Sequence, residues 1–361
     1  MKTLHIVEPT LADQTGHCYS YVRSLIKANA ELRWKLHVWL DRRGKSLFQH
    51  EICDIHPYFY RQWRKFQQWF CLNTLLKSQQ PLFIPTAGRA DLIYLDRLLS
   101  QRSDHAPIFL HFHQWTVTAK KIKLLKKIAA RHPTWVIMVP TPALLETFKK
   151  AGFARTEYLP CPSYEPPPSS HRPARWEKLV YAGAARTDKG FPQVVDFVEY
   201  LTQQLVQIPI VLQVSPPVSG HRDPASQQAL TKVTQLPNRY ITLHQHTLDQ
   251  TAYQQLFTNA ICLLLYDHHL YQAKFSGVAL DAFYAGCPVI ATQGTWAAQR
   301  VEQFQAGIVV TALNPEAVYN ALQSIRDRYA YYAENAHRAG LTLQKEHDPL
   351  HTLQAIQKYL E

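Results

Sequence analysis

Two stretches of the chain carry side chains that can do chemistry together. In Tyr181-Ala-Gly-Ala-Ala-Arg-Thr-Asp-Lys-Gly-Phe, the cations Arg186 and Lys189 stand between an apolar run and an amphipathic one. Gly183 lets the chain turn sharply there. Cations beside the open amides of a starting helix make a diphosphate site, although an ordinary strand-to-helix turn with two solvated cations reads the same way. The Gly-x-Gly-x-x-Gly spacing of dinucleotide-binding dehydrogenases is not present in it. The second stretch is Phe275-Ser-Gly-Val-Ala-Leu-Asp-Ala-Phe-Tyr-Ala-Gly-Cys-Pro-Val-Ile-Ala-Thr. Ser276 is a helix-capping type, which would turn the amides of Gly277 and Val278 toward an anion. Gly286 suits a helix end and Pro288 the opening of a strand. Asp281 is set among Val278, Ala282 and Ala285 at helical spacing. A carboxylate on so apolar a helix needs a partner, which the hydroxyls of a ribose would supply; a dipole-favoured acid in the first turns is the plainer alternative.

These groups have to be positioned by the elements around them. Apolar or β-branched runs predict strands at 4–7, 36–40, 82–85, 108–112 and 135–139, with amphipathic helices between them, such as 19–29. The proline-dense Glu165-Pro-Pro-Pro-Ser-Ser marks a stiff linker. The same alternation then restarts: strands are predicted at 178–182, 208–214, 241–243, 261–266 and 288–292, and helices at 194–205, 253–257, 278–284 and 315–328. Alternation of this kind implies βαβ units in parallel sheets. The expected architecture is α/β, with two doubly wound domains facing a cleft and ligands at the carboxyl ends of the strands. The expected divisions are a first domain at 1–165, a linker at 166–177, a second domain at 178–340 and a helical segment at 341–361 that packs back on the first domain.

Composition narrows the classes further. The 361 residues include 39 Lys and Arg against 27 Asp and Glu, a net charge of +12. The surplus is confined to the first 170 residues, with 24 basic and 12 acidic side chains; the remainder balances at 15 against 15. At 46% hydrophobic and 12% aromatic residues, general disorder is excluded. No apolar run reaches the roughly 18 residues of a spanning helix, and the opening Met1–Glu8 reads as a strand rather than a cleavable leader. The six cysteines are scattered, without close pairs of metal-ligand spacing, as suits reduced thiols in a cytoplasmic protein.

In the order of these pieces, Lys178 to Val310 resembles the donor domain of GT-B glycosyltransferases, especially the large retaining family four (glycosyl transferases group 1). The Gly-rich turn with Arg186 and Lys189-Gly190 precedes a helix, a segment like 247–259 leads into a strand, and Asp281-Ala-Phe-Tyr-Ala-Gly-Cys-Pro-Val-Ile-Ala closes the pattern. Asp281 replaces the family's second glutamate. No acid stands near Ala273 or Lys274, where the first would fall. The first half is similar more loosely. Thr15-Gly16-His17 follows the first strand where the family has a glycine loop, and His111-Phe-His113 ends a strand where it has a sugar-facing histidine. The resemblance implies a nucleotide-sugar donor held by Gly16, His17, Arg186, Lys189, the Ser276, Gly277 and Val278 turn, and Asp281. His113 and Asp281 would be the catalytic pair; His111 is expected to point the opposite way if both histidines are in a strand. Asp267, His268 or Lys274 would contact the sugar in place of the first acid. It further implies retention without a dedicated nucleophile, a hydroxyl acceptor on a glycan or lipid in cell-surface polysaccharide or glycolipid synthesis, and neither cofactor nor metal. A GT-B-fold nucleotide or sugar binding protein with impaired catalysis is the alternative.

The basic surplus has its own candidates. Residues 120–131 form a basic amphipathic pattern, and 60–70 mix Tyr60, Trp63, Phe66, Trp69 and Phe70 with Arg61, Arg64 and Lys65. Either could lie on an anionic membrane, which would make the protein peripheral on the inner face of the cytoplasmic membrane; each also reads as a core helix with a solvated basic face. No reading motif for nucleic acid accompanies the charge, so nucleic acid is not an expected partner.

Overall fold

The computed structural model describes residues 2–14, 16–100, 105–163, 175–216, 222–237, 239–272 and 274–361. Most of the expected linker and its proline run lie outside them. The chain divides into two compact units, the first formed by Met1–Glu165 with Glu346–Glu361 and the second by Pro166–Lys345.

The first unit is built on seven strands: β1 (Thr3–Glu8), β2 (Lys35–Asp41), β3 (Asp54–Phe59), β4 (Leu82–Ile84), β5 (Ile108–His111), β6 (Val136–Val139) and β7 (Arg155–Tyr158). They hydrogen-bond in the order β3-β2-β1-β4-β5-β6-β7, every pair parallel. Parallel neighbours require crossovers; α1 (Gly16–Leu32), α2 (Arg64–Lys77), α3 (Arg89–Leu99), α4 (Ala119–Arg131) and α5 (Pro142–Lys150) supply five of the six, and a short 3-10 helix (Arg42–Ser46) lies in the link from β2 to β3. The central strands are buried throughout, which is why they read as continuous apolar runs. The edge strands differ. β3 carries Pro57, tolerated at an edge where its missing N–H costs no ladder bond, and β7 is the polar Arg-Thr-Glu-Tyr.

The second unit repeats the plan with β8 (Lys178–Tyr181), β9 (Ile210–Gln213), β10 (Ile241–His244), β11 (Ala260–Leu264), β12 (Val289–Thr292) and β13 (Gly307–Val310). Their order is β10-β9-β8-β11-β12-β13, again all parallel. The helices are α6 (Phe191–Gln203), α7 (Pro224–Gln235), α8 (Gln250–Gln255), α9 (His268–Tyr271), α10 (Gly277–Tyr284), α11 (Trp296–Phe304), α12 (Pro315–Asp327) and α13 (Tyr329–Glu346). Both faces of the sheet are covered, one by a cluster with Phe191, Phe197 and Leu322, the other by one with Phe257, Phe283 and Trp296. After α13 the chain returns to the first unit as α14 (Pro349–Lys358). Its Leu353 and Ile356 are fully buried in the core that holds Leu4, Ile6 and Phe83.

Gly340 on α13 sits where a Cβ would meet the carbonyl oxygen of Phe283 at 2.4 Å. That contact is with backbone, so nothing nearby can rotate away. Gly340→Ala is expected to destabilise the second unit by about 2 kcal/mol or more, a drop of at least about 4 °C in its melting midpoint. Gly277→Ala meets nothing within 4 Å and is expected to leave the midpoint within about 2 °C, helical Ala being no worse than Gly. Calorimetric scans of the two variants check the contrast.

Candidate functional site

In the second unit β8 pairs with β9 on one side and β11 on the other, so the chain winds away from β8 in both directions. The crevice beyond the carboxyl ends of β8 and β11 is the place where such a sheet takes a ligand, and both motifs open there. After β8 the backbone turns at Gly183 with φ +115°. A Cβ on Gly183 would lie 3.0 Å from Lys189 Nζ and 3.8 Å from Val278 Cγ2. Absence of that carbon is what lets the ammonium group sit between the end of β8 and the start of α10.

The two cations are differently placed. Arg186 forms a two-pronged pair with Asp188 (2.8 and 2.7 Å) and donates to Tyr271 Oη at 3.2 Å. Lys274 Nζ lies 3.7 Å from the same carboxylate and 5.0 Å from the Tyr271 ring. Lys189 is enclosed. Burial first, and then the charge of Arg186, pushes its amine down to about 8 from 10.5, while Asp188 and Asp281 pull the other way. A cation held at this cost is poised for an anion.

α10 begins at Gly277 with Ser276 as its cap, Oγ accepting from Ala279 N at 3.2 Å. The first amides of a helix have no acceptor one turn back, and those of Gly277 and Val278 are the first in α10. One turn further on, the Asp281 carboxylate takes a 2.8 Å hydrogen bond from Tyr253 Oη. Burial, joined by the Asp281 charge, holds that phenol protonated, hence a donor. Of the three expected sugar contacts, Lys274 is drawn into the Arg186–Asp188 cluster. Asp267 caps α9 by accepting from Leu270 N at 3.2 Å, and the His268 ring lies 3.8 Å from that of His269. Sequence reasoning missed Asp188, Tyr253 and Tyr271, which partner the groups it named. Asp188 stood inside the first motif; the two tyrosines lie far off in sequence.

The first unit has its own reversal point, where β1 pairs with β2 and β4. Glu8 ends β1 fully buried, its carboxylate accepting from the hydroxyls of Thr10 and Thr86. It went unread because it closes an apolar strand. Gly16 opens α1, and the His17 ring lies 5.4 Å from that of His113. His111 ends β5 and accepts or donates with Tyr21 Oη at 2.5 Å. The expectation that His111 and His113 point opposite ways is corrected: β5 ends at His111, His113 follows in a bend, and their rings are 5.0 Å apart. Burial lowers both imidazoles, His111 to about 3 and His113 well below its ordinary value, so both rings are neutral. His111, His113 and Cys161 offer ligand atoms all within 4.8 Å of one another. Burial pushes the Cys161 thiol far up, so a soft metal there would have to displace a tightly held proton.

A scan against models of protein families finds no match, and a search among curated proteins finds none either. Solved structures do match. The sucrose-phosphate synthase of Thermosynechococcus elongatus aligns over 100% of this chain and 99% of its own, at 16% identity and a TM-score of 0.78. A glycosyltransferase from Rickettsia africae aligns over 100% and 99% at 14% identity and 0.74. Anabaena HepE in complex with UDP aligns over 100% and 99% at 15% identity and 0.70. These likenesses establish the fold as GT-B, two Rossmann-like parallel-sheet units.

The enclosed amine makes a direct expectation. In the ligand-free protein Lys189 should titrate near 8, read from its side-chain carbon resonances. Asp281→Asn removes an anion that raises this value and should lower it further. An ordinary value near 10.5, or a rise in the variant, contradicts the geometry.

Proposed function

We propose that the chain is a glycosyltransferase that moves a sugar from a nucleotide-sugar donor to a hydroxyl of a glycan or lipid-linked acceptor. The observation that carries this reading is the convergence of Lys189, Arg186, the start of α10 and Asp281 at the reversal point of the second unit. Anabaena HepE, of the same fold, has been solved with UDP and with UDP-glucose, which makes a uridine diphosphate sugar the first donor to try.

Each group has a role. As the glycosidic bond to the donor breaks, charge collects on the departing diphosphate. Lys189, Arg186 and the amides of Gly277 and Val278 are set to meet that charge without reorganising. Arg186 would share its guanidinium between Asp188 and phosphate oxygens. Asp281, held by the Tyr253 hydroxyl, would accept from the ribose hydroxyls and so fix the leaving group. The neutral ring of His113 would act on the sugar as a hydrogen-bonding partner rather than as a charge. Since side chains and amides meet the diphosphate, the reading requires no divalent ion. Retention and a product in cell-surface polysaccharide or glycolipid, supported by the order of the sequence motifs, and a cytoplasmic location, supported by the scattered cysteines, complete the proposal.

Calorimetric titration with UDP, GDP, ADP and their sugars tests the donor site. Lys189→Ala and Arg186→Ala should each weaken nucleoside-diphosphate binding more than tenfold, about 1.4 kcal/mol. Affinity should also fall as pH rises through about 8, where Lys189 loses its proton, and Lys189→Arg should flatten that fall. Unchanged binding in the alanine variants overturns the assignment. His113→Ala should cut turnover at unchanged donor affinity, on the order of a hundredfold if it acts at the reacting centre. Nucleotide binding with neither transfer nor donor hydrolysis would instead identify an impaired binding protein.

A further inference from the structure

α2 has two apolar faces. Cys71, Leu72, Leu75 and Leu76 are buried in the first unit, and Gln68 on the same side donates to Asp91. The other face carries Trp63, Phe66 and Phe70 at helical spacing, 59%, 65% and 45% exposed, with Tyr60 at 46% in the turn before them. The Phe66 and Phe70 rings touch, their centroids 4.7 Å apart, so the patch is continuous along the helix. Aromatic side chains gathered in this way at a surface mark a contact site.

Along the sequence the charge of this segment is of one sign, with Asp41 from the end of β2 the acid that feels Arg64. Between Asp54 and Asp91 the sequence has no acidic residue, but it has Arg61, Arg64, Lys65, Lys77 and Arg89. Arg61 and Lys65 are exposed, and Arg42 lies 4.8 Å over the Tyr60 ring. Arg64 and Lys65 occupy the first turn of α2, with no acid there and no side-chain cap from Trp63. Cations at that end oppose the helix dipole, an arrangement that external anions would relieve. α4 contrasts with it. Its Leu125, Ile128 and Ala129 are buried, so its lysines face outward over an apolar side already used by the core, and the expectation that this helix lies on a membrane gives way to the plainer reading.

We propose that the outer face of α2 docks on an anionic lipid bilayer, the aromatic rings entering the headgroup boundary and Arg61, Arg64 and Lys65 meeting lipid phosphates. Trp, Tyr and Phe with flanking cations suit such an interface. The proposal rests on no part of the donor-site reading.

Flotation of the full chain with vesicles of phosphatidylcholine alone, or with one third phosphatidylglycerol, tests it. Binding to the anionic vesicles should exceed binding to the neutral ones by at least about tenfold and weaken with salt. Trp63→Ser/Phe66→Ser/Phe70→Ser should lower it at least about tenfold with circular dichroism and melting unchanged. Should that variant misfold, Phe66→Ser alone should lower it about threefold. Arg61→Gln/Lys65→Gln should lower it and reduce its salt dependence, whereas Lys123→Gln/Lys126→Gln/Lys127→Gln should change it less than about threefold. The proposal is overturned by failure to bind anionic vesicles or by equal binding in the triple serine variant. It is equally overturned if the chain is retained on an acidic polysaccharide, or self-associates through these aromatics, without binding vesicles.

Discussion

The site in the second unit depends on one close approach. Gly190, at φ +69°, lies so near the end of β11 that a Cβ would stand 1.7 Å from the carbonyl oxygen of Leu265. No residue but glycine fits there. The approach brings the loop after β8 against the loop after β11, and Asp267 N donates to Asp188 O at 3.1 Å across the join. Lys189, next in the chain to Gly190, is thereby enclosed, and its depressed basicity follows from enclosure first and from Arg186 second. The surroundings of the perturbed amine thus follow from a backbone contact that glycine alone permits.

The sequence made the centre of each sheet legible and its margins much less so. β4, β5, β6, β11 and β12 are buried along their whole lengths and announce themselves as apolar runs. β3 with Pro57, the polar β7 and the short β13 each have one neighbour in the sheet, and one covered edge demands less of composition. The site divides in a similar way. Arg186, Lys189, Ser276 and Asp281 lie in contiguous motifs whose spacing carries meaning. Tyr253 comes to Asp281 from 28 positions upstream, and Tyr271 to Arg186 from 85 downstream; no local pattern encodes those meetings. Glu8 was hidden for another reason, since one acid closing a strand looks like the place where the strand meets solvent, yet it is fully buried.

The uneven charge of the chain takes two physical forms. In the second unit the cations of the site are paired, with Asp188 set against Arg186 and Lys274. In the first, α2 and α4 present their basic side chains outward, α2 with exposed aromatic rings among them and α4 over a buried apolar side. Net charge alone does not separate a paired cation from a solvated one, and so it located the surplus without saying what each part of it meets.

The return of α14 to the first unit bears on how the protein is made. Leu353 and Ile356 belong to the same core as Leu4, Ile6 and Phe83. The His347 ring bonds to the Cys161 carbonyl at 2.7 Å, and Lys358 Nζ to Glu157 at 2.8 Å. A nascent chain therefore emerges from the ribosome with its first sheet complete and its first core open. The second unit, encoded within 166–345, has all its residues before the first can close. Domains that are contiguous in sequence fold in order of synthesis; here the earlier one waits for the later. Through that interval an apolar surface on β1 and α1 lacks its cover, and α14, made after the whole of the second unit, is the helix that closes it.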